Sequence, residues 1–449
     1  MDLIKKYNIP VPRYTSYPTV PYWDQSNFTS TKWEQAVVKC FNESNSKKGI
    51  SLYIHLPYCE SLCTYCACNT RITKNHSVEQ GYMDSIIAEW KHYIQMFPER
   101  PIIRELHLGG GTPTFFSPEN LRYLIEALME HATIHPDHEF SFEGHPNNTT
   151  KEHLAALFAV GFRRVSYGIQ DLNEKVQTTI NRVQPLENVI NATKWAREIG
   201  YESINFDLVY GLPFQTVASV ADTIEKTLAL KPDRIAFYSY AHVPWLRPGQ
   251  RAYTEVDLPD DDYKRKLYEK GKQLLSEKGY RDIGMDHFSL EGDALYIAAQ
   301  NKSLHRNFMG YTTTGTELLL GLGASSISDA KYAYAQNEKK VEDYKEAVAK
   351  QGIATFKGHW MTDSDLHTKK AILDVACKGV LDLSNNKIQI KEAQWVQLYA
   401  MQKEGIVTLN NKLLQLTKSG MAFLRNVCSV FDARMQVGKK GDKIFSKSI

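Results

Sequence analysis

The chain has 449 residues, with 54 Lys and Arg against 51 Asp and Glu, a net charge of +3, and 43% hydrophobic residues. A balance this even, without a basic helix or a base-stacking motif, excludes a nucleic-acid reader, and the length calls for one large core domain and a smaller one. The opening MDLIKKYNIP has no apolar run, and the most apolar later run, LLLGLGA near Leu318, is too short to span a bilayer, so the sequence predicts a soluble cytoplasmic protein with no membrane partner.

Residues 1–50 read as an N-terminal arm. PRYTSYPT, residues 12–19, has neither a helical nor a strand period, and a helix with Trp33 and Val37 on one face follows. From Ser51 short apolar runs alternate with longer amphipathic ones. Strands are predicted over 51–56, 103–108, 139–144, 163–170, 203–213 and 234–242. Between them the spacing predicts helices near 78–93 and 118–131, from Lys151, up to Ile199, and over 217–230. Six βα units in succession imply a parallel sheet with right-handed crossovers. No Gly-rich dinucleotide fingerprint follows the first strand, which weighs against an open doubly wound sheet. The predicted fold is α/β, a partial (βα)6 TIM-like barrel with its extension over 51–335. A strand-like 280–288 and a Gly-rich loop or hairpin at 310–328 belong to that extension. A composition break at 329–343 reads as a linker to a small, mainly helical domain over 336–449, a winged-helix-like cover. It has helical patterns at 363–377 and 390–403, a hairpin turning at Asn410 and Asn411, and a solvated tail, KKGDKIFSKS.

YIHLPYCESLCTYCACN, residues 53–69, holds Cys59, Cys63, Cys66 and Cys68, four of the seven cysteines. Disulfides fit poorly, because Cys40, Cys377 and Cys428 are scattered and nothing marks a secreted chain. Zinc or an iron–sulfur cluster remains. Zinc favours two ligand pairs divided by a spacer, whereas here all four thiols of the run fall within one short loop, as for an iron–sulfur cube. The ends of the other strands carry related chemistry. Gly109, Gly110, Gly111 and Thr112 follow the second, Glu143 the third, Gln170 and Asp171 the fourth, Asp207 the fifth, and Tyr240 and His242 the sixth. Hydrogen-bonding groups and glycines at the carboxyl ends of successive strands are what one large polar ligand across a barrel mouth requires.

The C-x3-C-x2-C spacing resembles the signature of the radical S-adenosylmethionine enzymes. The fuller run with Cys68, the RYTSYP arm, GGGTP, YGIQD, FDLVYGLP, GMDHF and HRNF-GYTT together resemble the oxygen-independent coproporphyrinogen III oxidase family over nearly the whole chain. The resemblance implies a [4Fe–4S] cluster on Cys59, Cys63 and Cys66. Its fourth iron is chelated by the amino and carboxylate groups of S-adenosylmethionine, and an electron from the cluster yields a 5′-deoxyadenosyl radical. It implies that two propionates of coproporphyrinogen III become vinyl groups, giving protoporphyrinogen IX. It also implies cofactor roles for Tyr53, Tyr65, Gly110, Gly111, Thr112, Glu143, Gln170, Arg182 and Asp207, with Ala241 and Ile327 near a second S-adenosylmethionine. Tyr53 and Cys68 become catalytic candidates, and Arg13, His287, His305 and Arg306 become cation candidates for the propionates. A flavodoxin or ferredoxin system as electron donor and a monomeric state follow as expectations. His145 and Met309 depart from the family pattern, which has an acidic residue and Gln there, and Tyr65 replaces Phe. Two alternatives stand beside this reading. One is a haem-carrying relative, a group that tends to lack the fourth cysteine and the arm; the other is a zinc-stapled, non-enzymatic interaction protein.

Overall fold

The computed structural model describes residues 3–384, 387–437 and 445–447. Six strands alternate with helices in the predicted order: Ile50–Leu56 (β1), Ile102–Gly110 (β2), Thr133–Gly144 (β3), Phe162–Gln170 (β4), Ser203–Tyr210 (β5) and Arg234–Ser239 (β6). Helices Val78–Met96, Pro118–Met129, Lys151–Ala159, Leu186–Ile199 and Val217–Ala229 run between them, and consecutive strands pair in parallel. Local signals set the helix ends. The Ser117 hydroxyl accepts from Asn120 N ahead of Pro118, and Gly200 closes Leu186–Ile199 in the left-handed conformation at φ 110°.

The sheet is wider than six strands. Beyond β6 lies the hairpin Arg281–Gly284 (β7) and His287–Ser289 (β8). On the far side of β1 come Leu319–Leu322 (β9), Ile327–Asp329 (β10), Ala333–Asn337 (β11) and Thr355–Trp360 (β12). The order is β12-β11-β10-β9-β1-β2-β3-β4-β5-β6-β8-β7, parallel from β9 through β6 and antiparallel at both flanks. This is an α/β fold on a parallel-dominated central sheet. Among the described residues its ladder ends at β12 and β7 and does not close on itself.

Side chains divide by parity. Leu52, Ile54, Leu106, Leu108, Phe140, Phe142, Val165, Tyr167, Ile204, Phe206, Ile235 and Phe237 are buried in the main apolar core, each worth roughly 1.5–3 kcal/mol of burial. Apart from the small Ala236, the alternate positions beside these are polar: Tyr53 and His55, Glu105 and His107, Ser141 and Glu143, Arg164 and Ser166, Asn205 and Asp207, Arg234 and Tyr238. Parallel strands packed on both faces normally read as continuous apolar runs. Here the second face is built for a polar ligand.

Five expectations are corrected. The 310–328 segment is neither a loop nor a simple hairpin, for β9 is a seventh parallel strand, buried at every residue beside β1. The expected linker at 329–343 contains β11, also wholly buried, so a boundary at 335/336 falls inside a core strand. Residues 1–50 are not one arm. Ser30–Lys48 is a helix whose Trp33, Val37 and Phe41 join the main core, whereas Tyr7, Tyr14 and Tyr17 join a second core with Ile372, Val375, Leu398 and Phe431. The C-terminal hairpin Val407–Asn410 and Leu413–Leu416 turns at Asn411 and Lys412 (φ 47° and 68°), one residue later than predicted. Most of KKGDKIFSKS lies outside the described residues, but Ser446 accepts a bond from Val11 N at 3.2 Å, so the described end is docked rather than solvated. No helix among the described residues is long and apolar enough to cross a membrane.

Candidate active site

The thiol loop is tied down from several sides. Tyr58–Cys59 pairs in parallel with Arg71–Ile72, which pinches the intervening residues into a loop carrying Cys63, Cys66 and Cys68. The segment after β2 supports its base, with Gly111 N donating to Leu56 O (2.8 Å) and Thr112 N to Tyr58 O (3.0 Å). A Cβ on Gly111 would lie 2.5 Å from Pro57 O, and only glycine fits so close an approach. From beyond β4, Asn181 Nδ2 donates to Leu62 O (2.8 Å), and from beyond β6, Gln250 Nε2 donates to Tyr65 O (3.1 Å).

The loop faces a cavity of ≈ 470 Å³. Cys59, Cys63, Cys66 and Cys68 all line it, together with Tyr65, Gly110, Gly111, Thr112, Glu143, Gln170, Arg182 and Asp207. The structure thus gathers eight of the cofactor residues that the resemblance implies around the four thiols. Arg182 is no surface residue: Nη2 donates to Gly168 O (2.6 Å), Nη1 lies 3.6 Å from Cys63 Sγ, and the buried Nε has no partner among the described residues. Thr112 Oγ1 lies 3.2 Å from Cys59 Sγ. Hydrogen bonding from Cys68 pulls the Cys66 thiol down to about 6, and burial pushes Cys59 up to about 11.

All four thiols are free. Among the described residues no three His, Cys, Asp or Glu side chains gather as ligands of a single ion. Separate thiols around one roomy cavity, with a guanidinium behind one of them, fit a group with several iron corners. They fit one tetrahedral zinc less well.

Beneath the cavity, Tyr53 stacks on His107 (6.0 Å, 18°), and its hydroxyl lies 3.1 Å from His55 Nδ1. His55 Nε2 lies 2.9 Å from Asn69 O. A carbonyl accepts only, so Nε2 carries the proton, Nδ1 accepts, and the Tyr53 hydroxyl donates to it. Burial holds the ring neutral. Asp207 accepts from Ser166 Oγ (3.0 Å) and Asn205 Nδ2 (2.9 Å), and burial, reinforced by Glu143, pushes it up to about 6. A raised carboxyl favours the folded state fully below its unfolded value of 3.8, and that contribution is lost as pH rises through about 6. Asp207→Asn is therefore expected to stabilise the ligand-free protein by up to about 3 kcal/mol above that pH and by nothing in acid. Urea midpoints on both sides of it test this, and an unchanged difference between variant and wild type across the range counts against it.

The remaining residues fall elsewhere. His287 and His305 were expected as cations, but burial pushes each down to about 4, and the neutral ring wins. His287 Nδ1 donates to Met285 O (2.9 Å), leaving Nε2 facing the Tyr238 hydroxyl at 3.4 Å. Arg13 pairs with Asp286, and Arg306 donates to the Arg13 carbonyl. Neither Ala241 nor Ile327 lines the thiol cavity; Ala241 O accepts from Gln250, and Ile327 packs beside Trp23 and Tyr334. Sequence reasoning missed His55, Ser166 and Tyr238. Their alternation with outward apolar residues was the available signal.

Residues 53–227 match the radical SAM superfamily. The chain is 37% identical to the oxygen-independent coproporphyrinogen III oxidase of Escherichia coli (strain K12) over 97% of each chain. It is 34% identical to that of Synechocystis sp. over 100% of this chain and 97% of the relative. The solved coproporphyrinogen III oxidase from Escherichia coli, described as a radical SAM enzyme, superposes with a TM-score of 0.88 at 36% identity, covering 94% of this chain and 97% of that one. With sequence matched over 97% of the chain and fold over 94%, the chain belongs to the oxygen-independent coproporphyrinogen III oxidase family.

Proposed function

We propose that this protein carries out the oxidative decarboxylation of coproporphyrinogen III, turning two propionates into vinyl groups and giving protoporphyrinogen IX for haem synthesis. One observation carries the reading: the thiols, Arg182 and the polar ends of β2 to β5 line one cavity. In this reading Cys59, Cys63 and Cys66 hold a [4Fe–4S] cluster, and Gly110, Gly111 and Thr112 bring backbone groups close to S-adenosylmethionine. When bound, cluster and S-adenosylmethionine supply one-electron sulfonium cleavage and a hydrogen-abstracting radical. The chain's own work is placement. The unpartnered Arg182 Nε offers a donor to a carboxylate, Glu143 and Asp207 offer acceptors for ribose or ammonium hydrogens, and Tyr65 shields the loop from water. Tyr53, its proton committed to His55, presents oxygen lone pairs upward. Cys68 and the RYTSYP arm favour the enzyme over a haem carrier, since such carriers tend to lack both. A second S-adenosylmethionine at Ala241 and Ile327, a flavodoxin or ferredoxin donor, a monomer and a cytoplasmic site extend the reading.

The test is anaerobic turnover of the reconstituted protein with coproporphyrinogen III, S-adenosylmethionine and a reductant. The divinyl product is expected. Haem binding without turnover assigns the protein to the carriers instead.

A further inference from the structure

Around the hairpin β7–β8 the chain assembles three guanidiniums and one carboxylate within each other's field: Arg13, Arg306, Arg425 and Asp286. The neighbouring Asp282 is committed to Lys272 at 2.7 Å. Two of the guanidiniums are anchors. Arg425, 8% exposed, donates Nε to Pro12 O (3.2 Å), Nη2 to Val11 O and Nη1 to Lys447 O (2.8 Å). Arg306, 4% exposed and stacked over Tyr311 at 4.6 Å, donates Nε and Nη2 to Arg13 O (3.2 and 3.1 Å). Its buried Nη1 finds no partner among the described residues. The backbone of residues 11–13 is thereby fixed while the Arg13 side chain stays partly exposed, lying over the Tyr238 ring at 5.5 Å. Tyr238 itself lines the thiol cavity.

Asp286 is placed with equal care. It sits in the left-handed region (φ 75°) beside Met285 (φ 44°), with its carbonyl accepting from Phe237 N at 2.8 Å. That turn aims Oδ2 at Arg13 Nη1, 2.8 Å away. Left-handed backbone is unfavourable for most side chains but accessible to Asp and Asn.

We infer that Asp286 is a specificity-determining residue, an internal carboxylate that occupies Arg13 until a carboxylate of the substrate takes its place. The inference rests on the reading of the site as one for a porphyrinogen bearing several propionates. One internal carboxylate against three guanidiniums leaves positive charge uncompensated, which admits anionic ligands. The Arg13–Asp286 pair sets the threshold that a neutral or misplaced group cannot cross, because breaking it without replacement leaves a carboxylate and a guanidinium unpaired.

Asp286→Asn keeps the left-handed turn and removes the competing charge. With coproporphyrin III as probe, followed by fluorescence quenching on the full-length protein, Asp286→Asn is expected to bind about 5-fold or more tightly than wild type. An alkyl porphyrin lacking carboxylates is expected to bind both alike. Arg13→Gln weakens coproporphyrin III binding and cancels the gain when combined with Asp286→Asn. A wild type that prefers coproporphyrin III, paired with an Asp286→Asn variant that binds it equally or more weakly, overturns the inference alone. A wild type with no preference for the carboxylate-bearing porphyrin overturns the reading of the site with it.

Discussion

Cys63→Ala is expected to leave the anaerobically reconstituted protein without a stable iron–sulfur cluster and with S-adenosylmethionine cleavage at background. Cys68→Ala, in contrast, keeps iron and sulfide near wild-type content. Cys63 stands at the cavity wall with Arg182 at 3.6 Å behind its sulfur, and removing it leaves two of three proposed ligands on a loop that the rest of the fold holds in place. Cys68 lines the same cavity but is held against Cys66 rather than at the Cys63 corner. Cys68 meets Cys66 Sγ partly through its own backbone N–H, at 3.4 Å, and alanine retains that bond. Iron and sulfide per chain, read beside 5′-deoxyadenosine release, distinguish the two variants. Full iron loading of Cys63→Ala means that the cluster is held in some other way.

The largest effect on stability is expected at the opposite end of the strands. Asp293→Ala should cost about 3–5 kcal/mol. Arg234 and Asp293 have side chains 5% and 3% exposed and meet at 2.6 Å. Asp293 also accepts from Ser203 Oγ (3.0 Å) and from Leu295 N (2.7 Å), so it caps Ala294–Gln300 while neutralising β6. Arg234 already has one buried nitrogen, Nη2, without a partner among the described residues, and burial depresses its proton affinity. Deleting the carboxylate strands the guanidinium. Replacing both residues with apolar ones of similar size should recover much of the loss, because a buried pair contributes little beyond its own desolvation. Urea midpoints of the single and double variants measure both, and equal midpoints for Asp293→Ala and wild type refute the argument.

The sequence revealed most where a residue's neighbours are close in the chain. The six strands of the αβ succession were legible because Phe140/Phe142 and Ile204/Phe206 alternate with polar partners and because helices with plain start signals separate them. The cavity was legible because βα order alone puts the ends of successive strands side by side. What failed depended on burial and on distant partners. β9 has four residues buried on both faces, so it shows no alternation and reads as a Gly-rich loop. His287 and His305 look cationic in a string of letters, and only enclosure makes them neutral. Asp286 lies 273 residues from Arg13, and no local pattern joins them. The winged-helix-like expectation located the helices Asp363–Lys378 and Glu392–Lys403 but not what they are packed against, which is the beginning of the chain.

That last contact joins segments remote from each other in the chain. Val11 and Pro12 accept hydrogen bonds from Arg425, 414 and 413 residues away. So distant a closure costs loop entropy that the sheet packed between the two segments must offset. Shortening Arg425 is therefore expected to loosen residues 11–13, and the hold on Arg13, before any strand of the sheet yields.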